Sequence, residues 1–400
     1  MLTQSSGHLV NKFNSCAAPY FNNPFYFAKI VNDYSGSFLN PHFGQRGAII
    51  FFGGGHAATN DNSVVGLVLG ETCRFTRLVD PSPVASTGTD VASINANIFR
   101  NGTDFANNGW ADSVVDQKPA SPHSYGSGDV MGPTEGGAAN GSFIRVLNGA
   151  AGYGGYIGAE AAHKVDFATL DGSADGSKPS YEWKRLAKKE GAVFNAAAVG
   201  TVGAPQWSAF VPKQRRVYYA SRNFAPQRWF DVSANNYVVG TGAGLDPTAD
   251  GPDNGILFHV PERDLLVFMD RSNGFLRIRF CDVSGGQPSW INTPAWISHA
   301  LNIGTGWACA CWCPDNERII VGDVSGDASA AYEISIPTSL SDRWQVSRAP
   351  FGPGQRINFA PSCTYKKWSY NPKVRGIVYM PYASKDAGDD TVYVYRPRGT

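Results

Sequence analysis

Three cysteines, Cys309, Cys311 and Cys313, alternate with Ala310 and Trp312. On a β-strand this spacing puts all three sulfur atoms on one face. Three thiolates can hold a soft metal ion, but sulfurs about 6–7 Å apart along one strand do not converge into a tetrahedron. The pattern therefore favours small apolar side chains packed between sheets over a metal site.

The seven histidines are spread singly, and no two have the spacing of metal ligands. They are His8, His42, His56, His123, His163, His259 and His299. A nucleophile elbow, an HExxH motif, a Walker loop and an EF-hand loop are all missing from the sequence. The sequence thus predicts no catalytic residue, no cofactor and no metal, although a site built from several distant loops would leave no local motif.

A repeat in the sequence indicates which secondary-structure elements would position such a site. Six segments end in a proline, and each is followed by an apolar run. Because proline cannot donate to a strand ladder and presets a turn, each segment predicts a strand–turn–strand hairpin. The prolines are Pro41, Pro133, Pro212, Pro261, Pro314 and Pro372. The last four recur about every 50 residues, which is typical of a β-propeller.

Third and fourth strands are predicted after each hairpin, because a propeller blade is a four-stranded meander with its first strand innermost. The predicted pairs are 64–69 with 74–78, 164–168 with 182–186, 229–232 with 237–239, 276–280 with 289–291, and 331–336 with 343–346. After Pro372 only 392–395 remains as a third strand. We expect His8–Phe13 to supply the missing strand and close the ring.

The predicted fold is all-β: residues 1–400 form a single β-propeller of six four-stranded blades closed by the N-terminal strand. A long excursion at 84–117 and extended hairpins at 134–180 account for the extra length. The alternative is a seventh blade within 84–117, where Val91, Ile94 and Ile98 are apolar but no turn-separated strand pair is evident.

Composition narrows the functional classes. The 34 basic residues nearly balance the 33 acidic ones, which disfavours sequence-specific or bulk binding to nucleic acid. The start of the chain lacks the pattern of a signal peptide, and no apolar run reaches membrane-spanning length. We therefore expect synthesis in a reducing cytoplasm, free thiols and no membrane partner.

The stretch Phe51-Phe52-Gly53-Gly54-Gly55-His56 resembles the end of the second strand of a kelch repeat. Residues 119–125, Pro-Ala-Ser-Pro-His-Ser-Tyr, resemble the entry into the next kelch blade. The likeness covers roughly residues 45–160 and fades afterwards, because the later blades lack the glycine pair. The chain is in this sense kelch-like.

Kelch-like propellers include galactose-oxidase-type copper enzymes, so the resemblance makes a copper site of that type a candidate. Such a site needs two tyrosines and two histidines on one metal, and the scattered histidines do not favour it. Sialidase-like chemistry would bring Ser-x-Asp-x-Gly-x-Thr-Trp boxes, and no such box occurs.

The same Gly-Gly-Gly-His and Ser-x-His-x-Tyr motifs resemble those of propellers in tailed-phage virions. The resemblance implies a non-enzymatic structural protein of the tail, of nozzle or hub type, which contacts copies of itself and other virion proteins. The expected location is the virion.

The alternative class is a carbohydrate-binding or galactose-oxidase-like carbohydrate-active propeller. Trp183, Trp290 and Trp344 fall at equivalent repeat positions, which predicts packing roles. The less constrained tryptophans, Trp110, Trp207 and Trp296, remain candidates for stacking on a glycan.

Residues 84–117 hold too few large apolar side chains for a core of their own. Ordering such a segment without contacts costs much conformational entropy. We therefore expect it to pack on a neighbouring subunit or protein, with Phe105 and Trp110 as interface anchors.

Overall fold

The computed structural model describes residues 36–52, 64–71, 73–79, 119, 126–152, 155–168, 181–195, 206–221, 227–245, 255–303, 309–322, 326–357, 366–380 and 392–397. These residues form six antiparallel sheets, and no α-helix occurs among them. Within the same ranges, no helix has the length and apolar character that crossing a membrane requires. The chain is a six-bladed β-propeller, as the proline repeat predicts.

The blades are numbered I to VI in chain order. Blade I holds β1 (Ser37–Asn40), β2 (Ala48–Phe52), β3 (Val64–Val68) and β4 (Arg74–Val79). Blade II holds β5 (Asp129–Met131), β6 (Ser142–Arg145), β7 (Asn148–Gly152), β8 (Gly155–Asp166) and β9 (Trp183–Asn195). Blade III holds β10 (Gln206–Val211), β11 (Arg216–Ser221), β12 (Arg228–Asp231) and β13 (Asn236–Val239).

The second half of the ring continues the pattern. Blade IV holds β14 (Ile256–Val260), β15 (Leu265–Ser272), β16 (Phe275–Asp282) and β17 (Ser289–Ile291). Blade V holds β18 (Cys309–Cys313), β19 (Arg318–Gly322), β20 (Ala330–Ser335) and β21 (Gln345–Pro350). Blade VI holds three described strands, β22 (Trp368–Asn371), β23 (Gly376–Tyr379) and β24 (Tyr393–Tyr395).

The ring is visible in the contacts of the first strands. The innermost strands β1, β5, β10, β14, β18 and β22 each contact the next one, and β22 contacts β1. The predicted closing strand His8–Phe13 and the excursion at 84–117 lie outside the described residues. Ring closure by the N-terminal segment therefore remains a prediction.

Blade II departs from the simple meander. β6 pairs with residues 163–166 of β8, and β7 pairs with residues 155–159 of the same strand. β9 pairs with β8 along its other edge. The second strand position of this blade is thus filled by two consecutive strands, which the hairpin pattern does not predict.

Blade V contains one displaced strand. The fourth strand is predicted at 343–346 but runs from Gln345 to Pro350. The backbone N–H of Trp344 donates to the carbonyl of Trp296, and Trp344 bridges to Ile297 instead of β20. The β20–β21 ladder therefore begins two residues later than predicted, at Gln345 opposite Ser335.

All six proline turns share one backbone feature. The third residue after each proline has a positive φ, the left-handed region that costs a non-glycine residue energy. Glycine fills this position in blades I and II, whereas the other four blades use charged residues. The residues are Gly44 (φ 67°), Gly136 (98°), Arg215 (52°), Asp264 (45°), Glu317 (51°) and Arg375 (47°).

The residue directly after each proline contacts a neighbouring blade. The charge of Glu135 acts on His42, and side chains connect the other five turns. In ring order the hydrogen bonds are Arg215 to the Thr134 carbonyl (3.5 Å), Lys213 to Asp264 (2.9 Å), Trp312 to Glu262 (2.6 Å), Arg375 to Asp315 (3.1 Å) and Lys373 to the Gly44 carbonyl (2.8 Å). The turns that end the innermost strands thus also join all six blades to one another.

Deletion of residues 1–15 tests whether the N-terminal segment completes blade VI. We expect a large fall in melting temperature, because an unpaired outer edge would be left on that blade. Thermal denaturation followed by circular dichroism measures the effect. A truncated chain that melts like the full-length chain would refute closure by His8–Phe13.

Candidate functional site

The propeller encloses a central cavity of about 350 Å³ to which all six blades contribute lining residues. At one end it is lined by Pro41, Pro212 and Pro261 of the proline turns. At the other end it reaches Asp129 and Lys366, near the starts of innermost strands. We call this cavity the channel, and its proline end the mouth.

The end opposite the mouth is crossed by Lys366, which lies just before β22 of blade VI. Its ammonium nitrogen Nζ donates to the Gly128 carbonyl at 2.7 Å, to Asp129 Oδ1 at 2.9 Å and to the Ser208 carbonyl at 2.6 Å. Ser208 belongs to blade III, which is three blades away from blade VI around the ring. The side chain therefore spans the channel from one side to the other.

The carboxylate of Asp129 is held in place by further hydrogen bonds. Oδ2 accepts a hydrogen bond from the Ser208 hydroxyl at 2.5 Å, and Oδ1 accepts one from the Phe210 N–H at 3.1 Å. Burial lowers the pKa of Lys366, and the neighbouring Asp129 carboxylate opposes that shift. The result is a desolvated ion pair whose donors and acceptors are satisfied within the protein.

The mouth carries a histidine and a carboxylate at the boundary of blades I and II. A Cβ placed on Gly132 would lie 2.6 Å from His42 Nε2 and 3.1 Å from Glu135 Oε2, so both side chains pack closely over this glycine and would have to shift for a larger residue. Burial lowers the pKa of His42, with Glu135 acting in the opposite sense and Lys373 adding to the decrease. His42 is thus biased towards its neutral form.

A second channel histidine, His259 of β14, lies on the side of blade IV. Burial lowers its pKa to about 4, against the attraction of Asp264. Its Nε2 is buried, and no hydrogen-bond partner is recorded for it among the described residues. His259 is therefore a neutral packing group at physiological pH.

The three cysteines of β18 behave as the sequence predicts. They are buried on the face that packs against Trp368, Ile377 and Tyr379 of blade VI. Burial raises the pKa of Cys311 well above its usual value and that of Cys313 to about 11. These thiols are protonated packing groups at the boundary of blades V and VI.

No cluster of three or more histidine, cysteine or acidic side chains suited to a metal ion occurs in the part of the chain that the structure describes. Of the seven histidines, that part contains His42, His163, His259 and His299. The interface candidates Phe105 and Trp110, and the Gly53–His56 stretch, lie outside it.

The tryptophans divide by burial. Trp290 and Trp344 are buried, and Trp183 packs on Phe52 with ring centroids 5.0 Å apart, which confirms their packing roles. The hypothesis that Trp207 stacks on a glycan is wrong. It lies on innermost strand β10, fully buried, where its Nε1 donates to the Gly255 carbonyl and its ring meets Phe268 edge-on.

Trp296 has the opposite environment. It is 61% exposed, and the guanidinium of Arg343 lies 3.7 Å from the centroid of its ring. The other large apolar side chains exposed in the described ranges are Val239, Phe275 and Ile291. All four belong to blades III and IV or to the segment joining blade IV to blade V. They do not share one face, because Ile291 lies opposite Phe280 on the blade V side of the blade IV sheet, whereas Phe275 has the parity of Cys281 on the blade III side. We call this set of four exposed residues the outer patch.

Sequence reasoning missed the Lys366–Asp129 pair. The available signal was a carboxylate four residues before Pro133, since the equivalent positions before Pro261, Pro314 and Pro372 hold Leu257, Ala310 and Trp368. A charge in the innermost strand of a propeller indicates a buried partner. No local pattern, however, indicates that this partner comes from the opposite side of the ring.

Titration of His259 yields a pH-dependent stability. Because its pKa is about 4 in the folded chain and near 6.5 in the unfolded chain, the unfolded state gains the proton first as the pH falls. We expect the wild type to lose about 2–3 kcal/mol between pH 6.5 and 4 that a His259→Gln variant does not lose. Urea unfolding across this range measures the difference, with exposed His299→Gln as the matched control; equal pH dependence in all three proteins would contradict the assignment.

No protein-family model matches the sequence, and no relative was found among curated proteins. Several solved structures match the chain at low sequence identity. A Bacteroides thetaiotaomicron protein of unknown function is 9% identical, with a TM-score of 0.46, over 92% of this chain and 70% of that one. An auxiliary nutrient binding protein from Bacteroides ovatus is 10% identical (TM-score 0.42; 92% and 70%), and a luciferin-regenerating enzyme is 8% identical (TM-score 0.42; 94% and 95%).

Proposed function

We propose that this chain is a non-enzymatic structural protein that acts by binding other proteins, and that a second copy of itself covers the outer patch. The outer patch is the observation that carries the proposal. Val239, Phe275, Ile291 and Trp296 are between 43% and 61% exposed. Large apolar side chains that stay exposed supply contact area that a protein partner can bury.

The chemistry of the outer patch suits a protein partner. Trp296 and Arg343 form a stacked pair at the surface. Tryptophan and arginine are enriched among residues that dominate binding energy at interfaces. A net charge of +1 leaves little long-range repulsion between copies, which favours self-association.

The channel supports a non-enzymatic role. Its strongest charges, Lys366 and Asp129, are held in a static pair with their hydrogen bonds satisfied. The thiols of Cys281, Cys311 and Cys313 have raised pKa values because they are buried. These groups have the environment of structural residues and not that of activated nucleophiles.

The finer placement is the tail of a bacteriophage virion, with other tail proteins as further partners. This placement rests on the kelch-like sequence motifs within residues 45–160 described above. In that setting the protein is a nozzle or hub subunit, made in the host cytoplasm and located in the particle. The excursion at 84–117 then serves as an arm that binds a neighbouring subunit through Phe105 and Trp110.

Carbohydrate binding is the second candidate, and exposed Trp296 is the observation that favours it. An aromatic ring with one open face can stack on a sugar, and Arg343 can donate to its hydroxyl groups. A glycan array separates the two functions. A Trp296-dependent glycan signal from a monomeric protein would favour the sugar.

A variant without the arm tests the assembly role of residues 84–117. Replacing 88–112 with a short Gly-Ser linker should leave the melting temperature nearly unchanged but lower the native mass of the assembly. Native mass spectrometry and thermal denaturation give the two readouts. Normal assembly of the variant, or unfolding of the propeller, would show that the segment is not an interface arm.

The outer patch is tested by the double variant Ile291→Ser/Trp296→Ser. Loss of two exposed anchors should weaken self-association at least tenfold, while stability changes by only about 1 kcal/mol because both side chains are exposed. Sedimentation velocity over a concentration series measures the association. The matched control, Thr293→Ala/His299→Ala, changes exposed polar residues of the same segment and should associate normally; an unaffected patch variant would overturn the proposal.

A further inference from the structure

The end of the channel opposite the mouth contains three oxygen atoms arranged around one cation, the ammonium group of Lys366. The Gly128 carbonyl, Asp129 Oδ1 and the Ser208 carbonyl lie 2.7, 2.9 and 2.6 Å from Lys366 Nζ. The ring of Phe38 is the next neighbour, with its centroid 5.8 Å from the same nitrogen. Two blades supply the oxygens, and a third, opposite blade supplies the cation.

Asp129 and Ser208 are also held by contacts that do not involve Lys366. The Asp129 carboxylate accepts hydrogen bonds from the Ser208 hydroxyl and the Phe210 N–H. The Ser208 N–H donates to the Gly126 carbonyl, which ties the start of blade III to that of blade II. Two of the three oxygens thus belong to residues that other bonds keep in place.

We propose that these three oxygens form a binding site for a monovalent cation of the ammonium class, and that the chain fills this site with its own Lys366. One carboxylate balances one positive charge, so a monovalent ion leaves the buried cluster neutral. Calcium needs six to eight oxygens at about 2.3–2.6 Å, and magnesium needs six at about 2.0–2.1 Å. The three oxygens are all hydrogen-bond acceptors, and an ammonium group offers three N–H donors to match them.

The conformation of Lys366 is consistent with a requirement for the charge. Its φ is 49°, an unfavourable value for lysine, and its side chain is only 14% exposed. Strain at such a residue persists only where surrounding contacts hold it. The hydrogen bonds of the ammonium group supply such contacts, together with the bond from the Ser369 hydroxyl to the Lys366 carbonyl.

The test is chemical rescue of a Lys366→Ala variant, which removes the internal cation and leaves room for a soluble one. We expect its melting temperature to fall by several degrees, because the buried Asp129 carboxylate loses its partner. Ammonium or methylammonium chloride should restore more than half of the loss. Tetramethylammonium chloride at the same concentration should not, because it has no N–H donor.

Two further variants make the result specific. Lys366→Met fills the space without a charge and should not respond to ammonium, and Lys213→Ala, which breaks an exposed ion pair, should not respond either. Adding Asp129→Asn to Lys366→Ala should restore stability and abolish the ammonium response. If Lys366→Ala does not fold in buffer, the yield of refolding in ammonium relative to tetramethylammonium provides the same comparison.

Equal effects of ammonium and tetramethylammonium on Lys366→Ala would overturn the proposal. So would a Lys366→Ala protein that is as stable as the wild type without any added cation. An ammonium response that survives Asp129→Asn would place the binding elsewhere.

Discussion

The propeller depends on its six proline turns, each of which reverses the chain and also contacts another blade. Each proline ends an innermost strand, the next residue contacts another blade, and the third residue after the proline takes a left-handed backbone conformation. Turning and joining are therefore performed by the same four residues. Since a strained φ persists only where contacts hold it, the contacts between blades also stabilise the turn in the four blades that place a non-glycine residue at this position.

Packing between blades follows the same alternation that the strands impose. On β18, Cys311 and its two neighbouring cysteines face blade VI, whereas Ala310 and Trp312 face blade IV. Every residue of this strand is thus buried on one side or the other. β18 therefore has no solvent face, which explains why its sequence is apolar throughout and why a charge in another innermost strand, Asp129, is informative.

Much of the fold could be predicted because its signals are local. The proline repeat located all six hairpins, and the period-two pattern gave the correct faces for Cys309, Cys311 and Cys313. The signals failed where tertiary pairing decided the outcome, as for Trp344, whose backbone bonds to the segment before blade V, and for the divided second strand of blade II. The glycan-stacking hypothesis for Trp207 is wrong because a tryptophan near a turn gives the same sequence signal whether its side chain is exposed or buried.

The candidate site was far less predictable, since its partners are distant in the chain. The outer patch requires knowledge of which face of each strand meets solvent. β17 alternates exposed, buried and exposed from Ser289 to Ile291, but its sequence alone does not indicate which face carries Ile291. The mouth brings His42 together with Glu135 through the curvature of the ring. Such pairs arise from the assembled circle and not from any one blade.

The long reach of Lys366 has a kinetic consequence. It joins residues 237 positions apart, Lys366 and Asp129, so the bond cannot form until the chain between them has been placed. Contacts of such large sequence separation slow folding, because the entropy of closing the loop is lost before the contact rewards it. Each blade is a local meander, whereas the bond across the channel requires blades II, III and VI all to be in place.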